Sequence, residues 1–411
     1  MKFNSRRSEA MPARLFAVVF GVLLTPSFLL GQVGGDRLIA RISRDDANGD
    51  GKLTEAEFTG PRRLFETLDG DGDGVLVIEE AAARLAKVRS NVAKAIENRS
   101  EEMGNQSQRE AIRRRLQETR GGARARVEPD HENIRYGDHE RQVFDVYLAE
   151  TEADEPAPCM IWIHGGGFRR GDKSEGGLFA RSFTEHGIHY VTLNYRLSQH
   201  AIAPACFEDC ARALQTIRYN ADKWNIDKTR IAIGGGSAGA GLSQWIAFTP
   251  DRADPLADDP VSRESTRVSG IILLNAQTSY DYRWIQEHVP GEAWKGDGLQ
   301  QLFGYDVDRL DEISDAKFEL IEECSPLNHL TADDPPMMLF YRRSSDPEIA
   351  EKNAMDGIHH PIFGTELKKK ADQLGVGCEV FSVENENDMR VYNQRWTMAV
   401  DFLKRQFESV Q

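Results

Sequence analysis

A serine surrounded by glycines is the strongest chemical signal in this sequence. Ser237 lies in the run 234–239, Gly-Gly-Gly-Ser-Ala-Gly, directly after the apolar residues 231–233. Small residues on both sides of a bend let a strand turn sharply into a helix, so that the serine hydroxyl projects outward. The helix that follows begins with free backbone N–H groups and the positive end of its dipole. The pattern therefore predicts a nucleophile beside a site that favours a developing oxyanion.

A second glycine-rich turn lies upstream, after another apolar run. Residues 159–163 predict a short buried strand, and His164 is followed by three glycines at 165–167. Backbone N–H groups in such a turn have no side chains in their way and can donate to an oxyanion. Each motif alone also fits a simple glycine turn in a parallel sheet. In order and spacing, the pair resembles the alpha/beta-hydrolase esterases of the lipase/carboxylesterase type.

The elements that must position these turns are predicted over residues 131–411, where strand and helix patterns alternate. Further strands are predicted at 142–148, 189–194, 271–274, 337–341 and 378–383, and helices at 206–220, 361–374 and 390–407. The alternation predicts an α/β fold with a doubly wound, mostly parallel sheet. The segment 277–335 is rich in aromatic residues, which either form a wall over the active site or belong to the core: Tyr280, Tyr282, Trp284, Trp294 and Phe303.

The same region resembles the bacterial acetylxylan/feruloyl esterase-like branch of these enzymes, through its motifs at 135–137, 145–147, 171–173 and 227–230. The resemblance implies hydrolysis of an acyl ester, often on plant or algal polysaccharide. It implies that Ser237 is the nucleophile and that the N–H of Ala238, with that of Gly166 or Gly167, forms the oxyanion hole. It also implies that Asp346, a few residues past the strand 337–341, is the acid of the triad.

The expected base is missing from its usual position. The loop 384–389, after the last predicted strand, contains no histidine, and no histidine follows His360. A serine hydroxyl without a base is a poor nucleophile at neutral pH. His359 and His360 lie between Asp346 and the predicted helix 361–374, and we choose His360 as the relocated base. The alternative is that the two histidines only hold the start of that helix in place.

Two hypotheses for function follow. The first is a serine carboxylic-ester hydrolase, secreted and acting on acyl esters of polysaccharide. The second is a catalytically impaired hydrolase fold that serves as a glycan- or protein-binding module. The position of a histidine relative to Ser237 separates them.

The N-terminal part carries two acidic loops, at 46–57 and 69–80, with the ligand spacing of the EF-hand calcium loop. Hard oxygens recur at the ligand positions, with Lys52 and Val75 contributing backbone carbonyls: Asp46, Asn48, Asp50, Lys52, Thr54, Glu57, Asp69, Asp71, Asp73, Val75 and Glu80. We expect an all-α EF-hand pair over 36–98 that binds calcium in a structural role. Leu53 and Leu76 are expected to pack against each other across the two loops.

Composition and the N-terminus set the context. The chain has 411 residues and a formal net charge of −15, which argues against nucleic acid as a general partner. Residues 1–31 predict a signal peptide because basic residues precede a short apolar run, and they predict export to the periplasm or beyond the cell. The alternative is an uncleaved membrane anchor; with the signal cleaved, we expect no stable membrane span. Residues 99–130 predict a basic linker, and the five cysteines show no metal-site spacing.

Overall fold

The structure is a computed structural model, and it describes residues 46, 50–54, 57–58, 65, 68–69, 73–78, 81, 127–151, 155–346 and 357–409. The chain divides into two compact units, Met1–Arg124 and Ala125–Gln411. The predicted signal peptide, and the linker as far as residue 126, lie outside the described residues. No described helix combines the length and the apolar character that crossing a bilayer requires.

In the first unit, two short strands join the acidic loops. Strand β1 (Lys52–Thr54) pairs antiparallel with β2 (Val75–Val77), and Leu53 lies opposite Leu76. Both leucines are buried, and they share a small cluster with Phe65 and Leu68. The prediction that Leu53 and Leu76 pack together across the loops is confirmed.

In the second unit, eight described strands form one sheet in the order β10-β9-β8-β7-β5-β6-β4-β3. The strands are β3 (His131–Arg135), β4 (Val143–Tyr147), β5 (Ala157–Ile163), β6 (His189–Leu193), β7 (Ile226–Gly236), β8 (Ile271–Leu274), β9 (Met337–Phe340) and β10 (Cys378–Phe381). The pairs that β4 makes with β3 and β6 are antiparallel, and all other pairs are parallel. Continuous apolar runs form the central strands because both faces of a parallel sheet are covered. The predicted mostly parallel sheet is confirmed.

Helices cover both faces of this sheet. They are α1 (Lys173–Gly176), α2 (Ala180–Thr184), α3 (Ala205–Tyr219), α4 (Ala238–Phe248), α5 (Tyr282–His288), α6 (Asp297–Phe303), α7 (Asp315–Cys324), α8 (Ile362–Leu374), α9 (Glu386–Asn393) and α10 (Arg395–Glu408). Short 3₁₀ turns lie at Ala221–Trp224, Pro260–Arg263, Ala293–Lys295, Val307–Glu312 and Pro326–Asn328. Two apolar clusters pack on the two faces, and all five cysteines are free and buried.

The last predicted helix, 390–407, differs from the observed structure. Two helices, α9 and α10, replace it, and the first begins four residues earlier than expected. The reason is a capping box: the Asn385 side chain accepts from the N–H of Asn387 and Asp388, while the Asp388 carboxylate accepts from the Asn385 N–H. Such a reciprocal cap satisfies orphan donors and nucleates a new helix start.

Candidate active site

The nucleophile candidate lies at the sharp bend between β7 and α4. Ser237 has φ 51° and ψ −119°, a conformation that side-chain-bearing residues rarely adopt. Its N–H donates to the carbonyl of Leu274 at 2.8 Å, which ties the bend to the neighbouring strand. A Cβ at Gly239 would lie 2.1 Å from the carbonyl oxygen of Ile163, so only glycine allows α4 to pack this closely. The predicted elbow is therefore present, with the hydroxyl of Ser237 facing a pocket.

The two glycine turns converge, as the motif order predicts. Ile163 pairs with Gly235 in the parallel register of β5 and β7, so the turns that follow lie side by side. A Cβ at Gly165 would come within 2.6 Å of the carbonyl oxygen of Gly236. Gly166 and Gly167 line the same pocket as Ser237.

The backbone donors predicted for the oxyanion hole are available. Within the described chain, the N–H groups of Gly166, Gly167 and Ala238 donate to no other protein group. Ala238 is the first residue of α4, where a backbone N–H has no partner inside the helix. Gly166 and Gly167 both have positive φ, at 113° and 61°, a conformation that turns the loop around the pocket. The arrangement can stabilise a negative oxygen next to Ser237.

A buried network holds the first glycine turn in place. Nδ1 of His164 lies 2.7 Å from the carbonyl oxygen of Gly165, and Nε2 lies 3.1 Å from a guanidinium nitrogen of Arg141. Burial lowers the pKa of His164 to about 4, so its ring is neutral at pH 7. Because Arg141 can only donate, the proton lies on Nδ1 and is donated to Gly165. Arg141 also donates to the carbonyls of Tyr195 and Gly171, each at 2.9 Å.

His359, and not His360, contacts the serine. Nε2 of His359 lies 2.9 Å from Oγ of Ser237, within hydrogen-bond distance. The prediction that His360 is the base is wrong. His360 is buried, and its Nδ1 accepts from the N–H of Ile362 at the start of α8. Burial also lowers the pKa of His360. Consecutive side chains leave the backbone in different directions, so one histidine reaches the serine while the other accepts from the first N–H of α8.

A glutamine that the sequence analysis missed supports the histidine. Gln277 is buried, and its side-chain nitrogen donates to the carbonyl of Ile358 at 2.8 Å and to that of Asn275 at 3.0 Å. The main-chain carbonyl of Gln277 accepts from the side-chain nitrogen of Gln244 on α4 at 3.1 Å. These bonds link the helix after the nucleophile to the residue before His359. The available signal was position: Gln277 follows β8 closely, at the carboxyl edge of the sheet where ligand sites of parallel sheets lie.

The loop after the last strand carries a carboxylate instead of a histidine. Glu384 accepts from Oγ of Ser344 at 2.5 Å and from the N–H of Ser345 at 2.9 Å. Burial raises the pKa of Glu384, but these hydrogen bonds outweigh burial and lower the pKa overall. The loop 341–346, which carries Asp346, is thereby tied to the end of β10. Asp346 stays a prediction for the acid of the triad.

The pocket in front of Ser237 has a volume of about 460 Å³, within the range of small-molecule sites. The segment 277–335 does form one wall, but through Gln277 and residues 295–299 and not through its aromatic side chains. Tyr280, Tyr282 and Phe303 are buried in the core. Of the two expectations for these aromatics, the core is the one observed.

The acidic loops of the first unit have matching turns. A carboxylate oxygen of Asp46 accepts from the N–H of Gly51 at 2.9 Å, and one of Asp69 accepts from Gly74 at 3.0 Å. Both glycines have positive φ. No three His, Cys, Asp or Glu side chains converge among the described residues. The predicted ligands Asn48, Asp71 and Glu80 lie outside the described residues.

A parallel sheet that presents a serine on a strand-to-helix bend, with an upstream glycine turn beside it, is the arrangement of alpha/beta-hydrolases. The second unit falls in that class. Residues 144–355, just over half of the chain, match the family model described as BD-FAE. The chain belongs to this family of alpha/beta-hydrolase esterases. The matched region includes Ser237 and Asp346 and ends before His359.

Curated relatives and solved structures agree with this class. The chain is 25% identical over 222 residues to Esterase LipC of Mycobacterium tuberculosis. The matched region covers 54% of this chain and 52% of that protein. It is 26% identical over 217 residues to the probable carboxylic ester hydrolase LipM of the same organism, covering 52% and 47%. The chain therefore spans about half the length of these relatives.

Among solved structures, the fold resembles a truncated carbohydrate esterase from gut microbiota, with TM-score 0.53, 19% identity and coverage of 67% of this chain and 95% of that one. It also resembles an acetyl ester-xyloside bifunctional hydrolase from Caldicellulosiruptor lactoaceticus, with TM-score 0.53, 21% identity and coverage of 68% and 97%. At these identities the similarity concerns the fold.

Proposed function

We propose that this protein hydrolyses carboxylic esters by transferring the acyl group to Ser237. The observation that carries the proposal is the 2.9 Å distance between Oγ of Ser237 and Nε2 of His359, in a pocket that also exposes the glycine-turn amides. A serine within hydrogen-bond reach of an imidazole is the arrangement that activates a hydroxyl for attack.

The steps follow from this geometry. Oγ of Ser237 attacks the ester carbonyl while Nε2 of His359 takes the hydroxyl proton. The N–H groups of Ala238 and of Gly166 or Gly167 stabilise the oxyanion of the tetrahedral intermediate. His359 then protonates the leaving alcohol, and a water molecule, deprotonated by the same ring, hydrolyses the acyl-enzyme. Atoms balance as ester and water in, carboxylic acid and alcohol out.

Asp346 completes this proposal as the acid that orients the imidazole. A carboxylate at Nδ1 keeps the ring in the tautomer whose Nε2 can accept the serine proton. The loop that carries Asp346 is held by Glu384 through Ser344 and Ser345, which supports a defined position for the acid.

Acyl esters of polysaccharide are the proposed substrates. The two solved structures given above are titled a carbohydrate esterase and an acetyl ester-xyloside bifunctional hydrolase, which supports this proposal. The pocket volume of about 460 Å³ is in the range of small-molecule sites. The alternative, an impaired hydrolase fold that binds glycan or protein, depended on the absence of a base. The contact between His359 and Ser237 removes that reason.

The test is hydrolysis of 4-nitrophenyl acetate and of acetylated xylan by the full chain, with Ser237→Ala as the inactive control. We expect the purified protein to release nitrophenol and acetate, and the variant to release neither above the buffer rate. Equal rates for the protein and Ser237→Ala on both substrates would contradict ester hydrolysis at this serine.

We also propose that the N-terminal unit binds calcium through its two acidic loops. Their matching Asp-to-Gly turns and the pairing of β1 with β2 support this, and carboxylate and carbonyl oxygens are the ligands that Ca²⁺ prefers. A structural site in an extracellular module binds with a Kd of about 10⁻⁴–10⁻³ M. The test is the melting temperature in 10 mM Ca²⁺ and in EDTA. A rise that the double variant Asp46→Ala/Asp69→Ala loses is expected, and no rise in the wild type would contradict the proposal.

Export through the segment 1–31 completes the proposal. The measurement is the N-terminal sequence of the protein recovered from an expressing bacterium. Cleavage near residue 31 in the periplasmic fraction is expected, and an intact N-terminus in the membrane fraction would favour the anchor instead.

A further inference from the structure

Positively charged side chains outnumber negatively charged ones in the lining of the pocket. Arg169, Arg170 and Lys295 line it together with one carboxylate, that of Asp297. The chain as a whole has a formal net charge of −15. A pocket with a net positive lining in a strongly acidic protein selects among ligands by charge.

The ion pairs show which of these cations are available. Arg169 lies 3.4 Å from Asp297, so this pair partly neutralises itself. Lys295 pairs with Glu292, which is outside the lining. For Arg170, no side-chain ion pair or hydrogen bond is formed with any described residue. Among the lining cations, the Arg170 guanidinium is therefore the one that no described carboxylate pairs. The Lys295 ammonium is partly balanced by Glu292 and lies over the Trp294 ring.

Arg170 also lies close to the glycine turn 165–167, both along the chain and in space. Its N–H donates to the carbonyl of Gly166 at 3.2 Å, and its own carbonyl would lie 2.1 Å from a Cβ at Gly166. The backbone of Arg170 is thus packed directly against the oxyanion turn. Lys295 also lines the pocket and lies two residues before the start of α6.

We propose that the pocket takes esters that carry a carboxylate close to the scissile bond, such as an acylated uronic acid or the half-ester of a dicarboxylic acid. The proposal rests on the ester hydrolysis proposed above. A guanidinium binds a carboxylate through two parallel hydrogen bonds, and a lysine ammonium adds a point charge. A neutral ester of the same shape gains neither interaction.

The test compares matched substrate pairs. One pair places the charge on the acyl side: 4-nitrophenyl hemisuccinate against 4-nitrophenyl butyrate. The other places it on the alcohol side: methyl acetyl-glucuronoside against methyl acetyl-glucoside. We expect kcat/KM to favour the anionic member of at least one pair by about tenfold at low ionic strength, and less in 0.5 M NaCl, because salt screens partly exposed charges.

Variants assign the preference to these side chains. Arg170→Gln and Lys295→Gln should each reduce the anionic-to-neutral ratio by about fivefold or more, as expected for a charged hydrogen bond. Arg181→Gln is the matched control, since Arg181 is similarly exposed, pairs with Glu185 and lies outside the pocket lining. It should leave the ratio unchanged. Hydrolysis of the neutral esters with no anionic preference in either pair, or an unchanged ratio in both pocket variants, would overturn the proposal.

A binding measurement separates this inference from the proposed activity. Ligand-observed NMR on Ser237→Ala compares glucuronate with glucose, without any turnover. Stronger binding of glucuronate than of glucose, lost in Ser237→Ala/Arg170→Gln, supports the anion site whether or not the esters are hydrolysed. If none of the esters is hydrolysed, only the proposal of ester hydrolysis is overturned. Equal binding of the two sugars, together with hydrolysis of the neutral esters only, would overturn the anion site alone.

Discussion

The two halves of the candidate site are held in different ways. Ser237 and the glycine turn at 165–167 follow adjacent parallel strands, and the pairing of Ile163 with Gly235 places them by backbone register. His359 lies outside any strand, and side-chain bonds hold the loops around it: Gln277 at Ile358, and Glu384 at Ser344 and Ser345. Strand pairing therefore positions the serine side of the site, whereas side-chain contacts position the histidine side.

Backbone register cannot be altered by one substitution, whereas a loop held by side chains can be re-formed with new partners. The loop after β10, where the resemblance places the base, here supplies Glu384 as a support. The loop after β9 carries Asp346 and leads to His359. This division predicts large effects at the reacting groups, intermediate effects at their supports and the smallest effects in the buried network behind them.

The largest effect should come from His359→Ala. Loss of the base in a serine hydrolase lowers kcat by about 10⁴- to 10⁶-fold, and we expect His359→Ala to match Ser237→Ala in an ester assay. His360→Ala is the adjacent control. It removes a buried side chain and its bond to the N–H of Ile362, so we expect it to lower stability while largely keeping kcat. A greater loss of kcat in His360→Ala than in His359→Ala would reverse the assignment of the base.

The next effect should come from Gly166→Ala. Its Cβ would lie 2.1 Å from the carbonyl oxygen of Arg170, so the turn must move and carry its amide donors away from the oxyanion. Removal of one such donor lowers kcat by about 10²- to 10³-fold. Gly187→Ala serves as the control, because Gly187 also has positive φ but its Cβ would meet nothing within 4 Å. Similar activity losses in both variants would point to general strain instead of a lost donor.

Gln277→Ala tests the support of the base. Without the bond to Ile358, His359 shifts relative to Ser237, and a misplacement of about 1 Å costs up to about 100-fold in kcat. Gln215→Ala is the matched control: Gln215 is equally buried and donates to the carbonyl of Glu264 at 2.8 Å, away from the site. It should lose stability without losing kcat.

A second variant at this position separates positioning from packing. Gln277→Glu keeps the shape but replaces the donor by a carboxylate that faces two carbonyls. Its activity relative to the wild type should rise as the pH falls, because the protonated carboxyl can donate again. A pH profile parallel to that of the wild type would reduce Gln277 to a packing role.

The smallest effect concerns stability. The pKa of His164 is about 4 in the folded protein because the ring is buried, while it is near 6.5 when unfolded. Between these values the unfolded chain binds the proton and the folded chain does not, so stability falls as the pH falls from 7 to 5. The free energy of unfolding should drop by about 2 kcal/mol more in the wild type than in His164→Gln over this interval. Denaturant titrations at pH 7 and pH 5 measure this drop for both proteins. Equal drops in the free energy of unfolding would show that His164 is not held neutral by its buried surroundings.

The amino-acid sequence by itself determined the parts of this protein that depend on short stretches of chain. The apolar runs predicted the parallel strands to within a few residues, and the glycine spacing predicted Ser237 and the turn 165–167, because these features depend on local conformation. The contact between Leu53 and Leu76 is long-range and was predicted for a different reason: the two loops repeat one motif, and equivalent positions meet when such loops pair.

Only the tertiary structure decided which histidine reaches the serine. His359 and His360 are chemically identical neighbours, and the turn before α8 determines which ring faces Ser237 and which accepts from the N–H of Ile362. The sequence also did not predict the supporting roles of Arg141, Gln277 and Glu384. Each of these side chains contacts a residue 23 to 81 positions away along the chain. Side-chain direction and long-range contact are properties of the packed fold, and no spacing pattern records them.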